Sequence, residues 1–238
     1  MPGTLFISDL HLDHSRPGVS AALETFLRAN CGCERLFILG DLFEAWIGDD
    51  DDTPLTSATS KMLRDFSAAG PQLFIMVGNR DFLLGDRFCE AAGASLLPDP
   101  TVIDLHGTPT LLMHGDSLCT EDSEYQAFRR MARDPAWQSE LLGRSLEERR
   151  ALASQLRLMS REANSNKAED IMDVTPSEVE RVMREHRVTQ LIHGHTHRPA
   201  QHSVPGGTRW VLGDWDEKGW VLEAEPDRIE LIYFNIYQ

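Results

Sequence analysis

Leu36-Phe37-Ile38-Leu39-Gly40-Asp41 is the stretch on which the fold reading turns. Four apolar residues in a row, without polar alternation, suit a strand covered on both faces. A glycine then lets the chain turn sharply, and a carboxylate follows. The same unit recurs along the chain. Leu5-Phe6-Ile7 leads to Asp9-Leu10-His11, and Leu73-Phe74-Ile75-Met76-Val77 leads to Gly78-Asn79-Arg80-Asp81. Leu111-Leu112-Met113 leads to His114-Gly115-Asp116, and Leu191-Ile192 to His193-Gly194-His195-Thr196-His197.

Helical spacing fills several of the gaps. Residues 20–29 carry apolar side chains at Ala22, Leu23, Phe26 and Leu27. Residues 56–69 place Met62, Leu63 and Phe66 on one side, and Gly70-Pro71 ends the run. Strand, helix, strand at a spacing of roughly 30–40 residues predicts βαβ units. Near the C-terminus, residues 208–212, 220–224 and 229–234 predict strands set off by Pro205-Gly206-Gly207 and Glu225-Pro226-Asp227. They suggest an antiparallel portion. The expected fold is α/β: a two-sheet β-sandwich flanked by helices.

Residues 121–187 have another character. They are helix-rich and interrupted by Asp134-Pro135, Gly143 and Thr175-Pro176. Ser145-Leu146-Glu147-Glu148 reads as a helix start, and Ala151, Leu152, Gln155, Leu156 and Met159 continue one helical face. Residues 1–120 and 172–238 are expected to form the core, with residues 121–171 inserted as a helical cap over the site. The alternative is a helical layer of the main body.

The composition sets limits. With 238 residues, 41% hydrophobic and 26% charged, the chain can bury a core. No apolar run approaches the roughly 20 residues that span a bilayer. The start, which reaches Asp9 without a basic region, is not that of a signal peptide, so a cytoplasmic location is expected. Cys31, Cys33, Cys89 and Cys119 form no Cys-x-x-Cys pair and read as reduced thiols. A net charge of −15 disfavours generic nucleic-acid binding. Residues 126–167 run the other way, with nine Arg/Lys against five Asp/Glu. That suggests either a local anionic partner or a solvated helix surface.

In α/β sheets, ligands bind at the carboxyl ends of strands, so the five polar clusters should converge on one rim. Asp, Asn and His without Cys suit divalent Mn, Fe, Co or Zn. Asp9-x-His11 and His195-x-His197 each place two donors on one side of an extended segment. Asp41, with two oxygens, is the candidate bridge between two ions, and Asn79 offers an amide oxygen. A single histidine after a strand is more often a packing or surface residue, and His14, His106, His186 and His202 are read that way. Five clusters in order are hard to reconcile with packing alone.

In that order the motifs resemble the calcineurin-like metallophosphoesterases. The resemblance implies one metal held by Asp9, His11, Asp41 and His197, and a second held by Asp41, Asn79, His114 and His195. Many members of that family have histidine after Gly-Asn, where it can protonate an alkoxide. Here the residue is Arg80, which stays charged at neutral pH and cannot act as an acid. A phosphate leaving group, with a second pKa of about 6, needs no acid. An arginine neutralises phosphate charge instead. Hydrolysis of a diphosphate is therefore favoured over that of an alkyl phosphomonoester. The alternative is that Arg80 merely pairs with Asp81 or Asp86.

Residues 40–50, 78–82, 114–122 and 160–167 further resemble the UDP-2,3-diacylglucosamine pyrophosphatase branch of that family. This likeness implies hydrolysis of UDP-2,3-diacylglucosamine to UMP and 2,3-diacylglucosamine 1-phosphate in bacterial lipid A biosynthesis, by attack of metal-activated water on the α-phosphorus. It implies two Mn²⁺ and a peripheral position on the cytoplasmic face of the inner membrane. Asp41, Asn79, Arg80 and His195 would be catalytic. Asn79, Arg80, Asp122, Ser160, Asn164, Lys167 and His195 would touch the substrate. On a helix, Ser160, Asn164 and Lys167 fall at i, i+4 and i+7, on one face. Candidates to enclose acyl chains are Trp46, Ile47, Phe82 and Leu83, with Phe128, Met131, Trp137, Leu141, Leu142, Leu152, Leu156 and Met159 from the helical segment. Two other readings stay open: a different phosphoesterase, or a non-catalytic scaffold on the same fold.

Overall fold

The computed structural model describes residues 3–165 and 173–237, with the side chains of residues 160–165 outside the description. Thr4–Ile7 (β1), Arg35–Leu39 (β2) and Gln72–Met76 (β3) are the three apolar runs read first, and they pair in parallel. Their register sets Phe6 beside Phe37 and Phe37 beside Phe74. The three rings stack at centroid distances of 5.1 and 4.7 Å. Pro17–Ala29 (α1) and Pro54–Ala68 (α2) make the crossovers. Asp86–Ala92 (α3) leads to the short strand Ser95–Leu97 (β4), which extends the sheet in parallel.

The second sheet begins with the hairpin of Thr101–Leu105 (β5) and Thr108–Met113 (β6). Three helices follow: Ser123–Ala132 (α4), Pro135–Leu142 (α5) and Leu146–Ser165 (α6). Pro176–Glu185 (α7) then leads to Gln190–His193 (β7), parallel to β6. Ala200–Val204 (β8) and Gly207–Val211 (β9) complete that sheet in the order β5-β6-β7-β9-β8. Lys218–Glu225 (β10) and Arg228–Asn235 (β11) return to the first sheet, whose order is β11-β10-β1-β2-β3-β4.

Because side chains alternate along a strand, each central strand feeds two cores. Phe6, Phe37, Leu39 and Met76 face Leu112, Ile192 and Trp210 of the second sheet. Leu5, Ile7, Leu36 and Ile38 face the helical layer of α1, α2 and α3. On the far side, Leu111, Met113 and Leu191 meet Val179, Val182 and Met183 of α7. The order is helix, sheet, sheet, helix, as expected from the unbroken apolar runs.

The breaks in the helical segment fall where the residues signalled them. Asp134 caps α5, accepting from the Trp137 amide, and Pro135 opens it. Ser145 and Glu148 cap α6 reciprocally: Ser145 N–H donates to Glu148 Oε2 at 2.9 Å, and Glu148 N–H donates to Ser145 Oγ. These helices seat firmly on the loops of the first sheet. Leu141 joins the main core, and Trp137 packs on Phe82. Arg149, only 4% exposed, donates to the Ile47 carbonyl at 2.7 Å and pairs with Asp50.

Three strands escaped the sequence. β5 and β8 lie at sheet edges, alternate in exposure and carry polar residues where a continuous apolar run would be needed, and β4 has three residues. The strand expected at 208–212 is also not simply antiparallel. It runs parallel to β7 and antiparallel to β8. No helix among the described residues is long and apolar enough to cross a membrane. Phe37 is sandwiched between two stacked rings at the sheet interface, where deleting it would leave a cavity in the core. Phe37→Ala is expected to lower unfolding stability by about 3–5 kcal/mol, read from denaturant melts.

Candidate active site

All five clusters meet at one rim, where β1, β2, β3, β6 and β7 end. The loops are stitched by backbone bonds. Asp9 N–H donates to Gly40 O at 3.1 Å, His11 N–H to Asp41 O at 2.9 Å, and Gly194 N–H to His114 O at 2.9 Å. Asp9, His11, Asp41, His195 and His197 all have φ between 49° and 68°, the left-handed region. This corrects the expectation that Asp9-x-His11 and His195-x-His197 are extended pairs. Each non-glycine residue held there costs about 1–3 kcal/mol, so the stitched loops must enforce it. The glycines permit the close approach. A Cβ on Gly78 would lie 2.1 Å from Asp41 Oδ1, and one on Gly194 would lie 2.3 Å from Asp9 Oδ2. At these two positions the need is contact with a carboxylate, not a turn.

The donors fall into two lobes. In the first, His11 Nε2 and His197 Nε2 face each other at 3.3 Å, and Asp9 Oδ1 lies 3.3 Å from His197 Nε2. In the second, Asn79 Oδ1 lies 2.9 Å from His114 Nε2 and 2.8 Å from His195 Nδ1. Asp41 stands between: Oδ2 is 3.9 Å from His11 Nε2, and Oδ1 is 3.8 Å from His114 Nε2. His195 and His197 thus serve different lobes despite their spacing. The donor atoms of Asp9, His11 and His197 all lie within 4.8 Å of one another, as do those of Asp9, Asp41 and His114.

This donor set fits divalent metal binding. Asp9 Oδ2 accepts from Ser8 Oγ at 2.5 Å and from His195 N–H at 2.9 Å, while Oδ1, fully buried, has no hydrogen bond. A buried carboxylate oxygen with only the His197 imidazole beside it, at 3.3 Å, is a natural seat for a cation. His114 donates Nδ1–H to Leu39 O at 2.9 Å, which turns Nε2 toward the rim. His11 Nδ1 lies 2.9 Å from Glu44 Oε2, and His197 Nδ1 3.5 Å from Asp214 Oδ2.

The electrostatics follow from burial and mutual charge. Burial would raise Asp9, but His197, His114 and His11 hold it far below the ordinary carboxylate range. Burial would lower His114, but Asp41, Asp116 and Asp9 lift it to about 9. His195 is lowered to about 4 by burial and by the neighbouring His114. Burial and Asp41 raise Asp81 to about 6.

The calcineurin-like phosphoesterase family profile matches residues 4–199. The chain belongs to that family. It is 54% identical over 238 residues to the UDP-2,3-diacylglucosamine hydrolase of Cellvibrio japonicus, covering 98% of this chain and 99% of that one. It is 55% identical over 230 residues to the hydrolase of the same name from Marinobacter nauticus, covering 94% of each. A solved archaeal phosphodiesterase shares the fold, with TM-score 0.50 at 12% identity over 98% of this chain and 99% of that one.

Beside the phosphoesterase rim lies a cavity of ≈ 280 Å³, bounded by the β2 and β3 loops and by α4, α5 and α6. Asn79 and Arg80 line both rim and cavity. Nine of the twelve apolar residues expected to enclose acyl chains line it. The other three do not: Met131 and Leu142 are exposed, and Trp137 backs Phe82. Asp122 lines the cavity while its Oδ1 caps α4, accepting from Tyr125 N–H at 3.1 Å. The side chains of Ser160 and Asn164, and Lys167 entirely, lie outside the described residues.

Several supporting residues had no assigned role in the sequence. The Asp81 carboxylate gathers the amides of Gly78 at 2.6 Å and Leu42 at 2.8 Å, binding two rim loops together rather than pairing with Arg80. Asp116 accepts from Tyr125 Oη at 2.7 Å and Arg129 Nε at 2.9 Å, which sets the Tyr125 ring against His195. Both stand inside quoted motifs, so their position was visible though their task was not. Glu44 stands inside the quoted stretch 40–50 with no role attached, and Asp214 lies outside every quoted motif.

His193 opens its motif yet faces away from the donors. Its Nδ1 donates to Gly194 O at 2.8 Å, and Nε2 accepts from Arg209 at 3.2 Å. Burial and Arg209 lower its pKa to about 3. The folded chain therefore resists protonating it while the unfolded chain takes the proton near 6.5. Its contribution is present above pH 6.5 and lost as pH falls toward 3, by up to about 1.4 kcal/mol per unit. In denaturant melts, the stability gap between wild type and His193→Gln should narrow between pH 7 and pH 5.

Proposed function

We propose that this chain hydrolyses the diphosphate of UDP-2,3-diacylglucosamine to UMP and 2,3-diacylglucosamine 1-phosphate, a step of lipid A biosynthesis. One observation carries the reading: a two-lobed cluster of carboxylate, amide and imidazole donors opens, through Asn79 and Arg80, into a largely apolar cavity. A small phosphoester has no use for such a cavity. A phosphate bearing acyl chains does, since each buried CH₂ contributes about 0.8 kcal/mol. The two relatives named UDP-2,3-diacylglucosamine hydrolase, similar over nearly the whole chain, support the same substrate.

Asp9, His11, Asp41 and His197 would hold one cation, and Asp41, Asn79, His114 and His195 the other. Manganese suits the donor set. Two such ions supply a nucleophilic water at neutral pH and neutralise phosphoryl charge. The chain's own residues do the rest. Asp41 presents one oxygen to each lobe and keeps the two at a fixed separation. Asn79 sets its amide oxygen beside His114 Nε2 and His195 Nδ1, so that the three donor atoms form one lobe. Arg80, which lines the cavity, offers N–H donors to the diphosphate oxygens and steadies charge that grows in the transition state. His195, neutral by burial, can donate to a phosphate oxygen without repelling Arg80. The acyl-sugar phosphate leaves as an anion, so the absence of a histidine at position 80 costs nothing.

We assign residues 121–171 the role of a helical cap whose apolar faces close over the acyl chains. Asp122, Ser160, Asn164 and Lys167 would contact the sugar phosphate. The basic excess in residues 126–167 suits the anionic cytoplasmic face of the inner membrane, and a peripheral attachment there is part of the proposal.

Asp41→Ala is expected to abolish turnover of UDP-2,3-diacylglucosamine, by at least about 10³-fold, while leaving the far-UV spectrum unchanged. Near-normal activity of that variant with added Mn²⁺ would remove the bridging role. Hydrolysis in ¹⁸O-water followed by mass analysis should place label in UMP. Label in the lipid phosphate instead would move the attack to the β-phosphorus.

A further inference from the structure

We infer that Glu44 is the positioning residue for His11 and that Arg157 holds Glu44 in place, so that helix α6 is joined to the metal-binding rim through the Glu44 carboxylate. The inference rests on reading His11 as a metal donor.

Glu44 lies in the loop after β2, three residues beyond Asp41. Its two oxygens have different partners. Oε2 is 2.9 Å from His11 Nδ1, and Oε1 accepts from Arg157 Nη2 at 2.7 Å. His11 turns its other nitrogen, Nε2, toward His197, Asp41 and Asp9. A neutral imidazole carries one proton. A carboxylate at Nδ1 keeps the proton there and leaves the Nε2 lone pair aimed at the rim. Glu44 Oε2, 2.9 Å from His11 Nδ1, stands where the Leu39 carbonyl stands toward His114 Nδ1, as a close charged neighbour rather than a well-aligned hydrogen-bond acceptor.

The two neighbours differ in what fixes them. Leu39 O belongs to a buried strand. Glu44 is a side chain, and its second oxygen is held by a helix 113 positions along the chain. Arg157 and Glu44 both line the cavity wall. Whatever seats α6 over the cavity therefore orders Glu44, and an ordered Glu44 fixes the His11 ring. By reciprocity, a cation bound by His11 favours the seated helix. Arg149 and Arg150, which pair with Asp50 and Asp51, anchor the start of α6 to the core but touch no rim residue. Arg157 reaches Glu44, which adjoins the rim histidine His11.

The test is Mn²⁺ binding to the metal-stripped full-length chain, followed through the spin-resonance signal of free Mn²⁺. Glu44→Ala should weaken one of the two binding steps by about 10–100-fold and leave the other unchanged. Glu44→Gln, which keeps an acceptor oxygen, should weaken it less, and remains informative if the alanine variant fails to fold. Arg157→Gln should weaken the same step by a smaller factor. The double variant Glu44→Ala/Arg157→Gln should be no weaker than Glu44→Ala alone, because Arg157 acts only through Glu44. Unchanged Mn²⁺ affinity in a folded Glu44 variant, equal weakening of both steps, or a full additional loss in the double variant would overturn the inference. A wild-type chain that binds no Mn²⁺ would overturn the metal reading itself, and this inference with it.

Discussion

Gathering several carboxylates into one buried rim is the problem that the rest of this structure solves. Asp9, Asp41, Asp81 and Asp116 are all buried there, and like charges so placed repel while losing water. Part of each carboxylate is committed to the protein. Asp9 accepts from Ser8 Oγ and the His195 amide, Asp41 from the Arg80 amide, Asp81 from amides of two loops, and Asp116 from Tyr125 and Arg129. The oxygens left over point to the place where cations belong. Backbone amides aimed inward by strained loops do much of this work, which is why so many site residues sit at positive φ.

That arrangement ties the fold to the chemistry. The stacked ladder of Phe6, Phe37 and Phe74 keeps the first sheet rigid below the rim, so the loops above it can hold strain without relaxing. The second sheet brings His114 and His193 through His197 up to the same level. The helices of residues 123–165 then close one side. They do so with polar anchors, Arg149 on the Ile47 carbonyl and Arg157 on Glu44, as well as apolar ones such as Leu141. Rim and cavity consequently share walls, and Asn79 and Arg80 belong to both.

The division between donors and supports explains what could be read in advance. Asp9, His11, Asp41, Asn79, His114, His195 and His197 each end an apolar run, and the run itself marks where the strand stops. Glu44 and Asp214 end no run. They act on histidines from loops whose path nothing in their own neighbourhood encodes. The extended geometry expected for Asp9-x-His11 failed for a related reason: backbone bonds to the β2 loop, not local preference, set its φ values. Edge strands β5 and β8 escaped because they are partly solvent-facing and broken by polar residues such as Asp104 and Gln201-His202-Ser203, and so lack the continuous apolar signature.

The order of apolar runs and polar ends, by itself, determined a layered α/β fold with a nitrogen-and-oxygen donor rim, because burial on both faces leaves a periodicity that residues carry locally. Tertiary structure alone decided the left-handed backbone of the donor loops, the supporting partners of the histidines, and the cavity that meets the rim at Asn79 and Arg80. Those features arise between segments separated by tens to hundreds of positions, where hydrogen-bond geometry and charge, not sequence spacing, set the outcome.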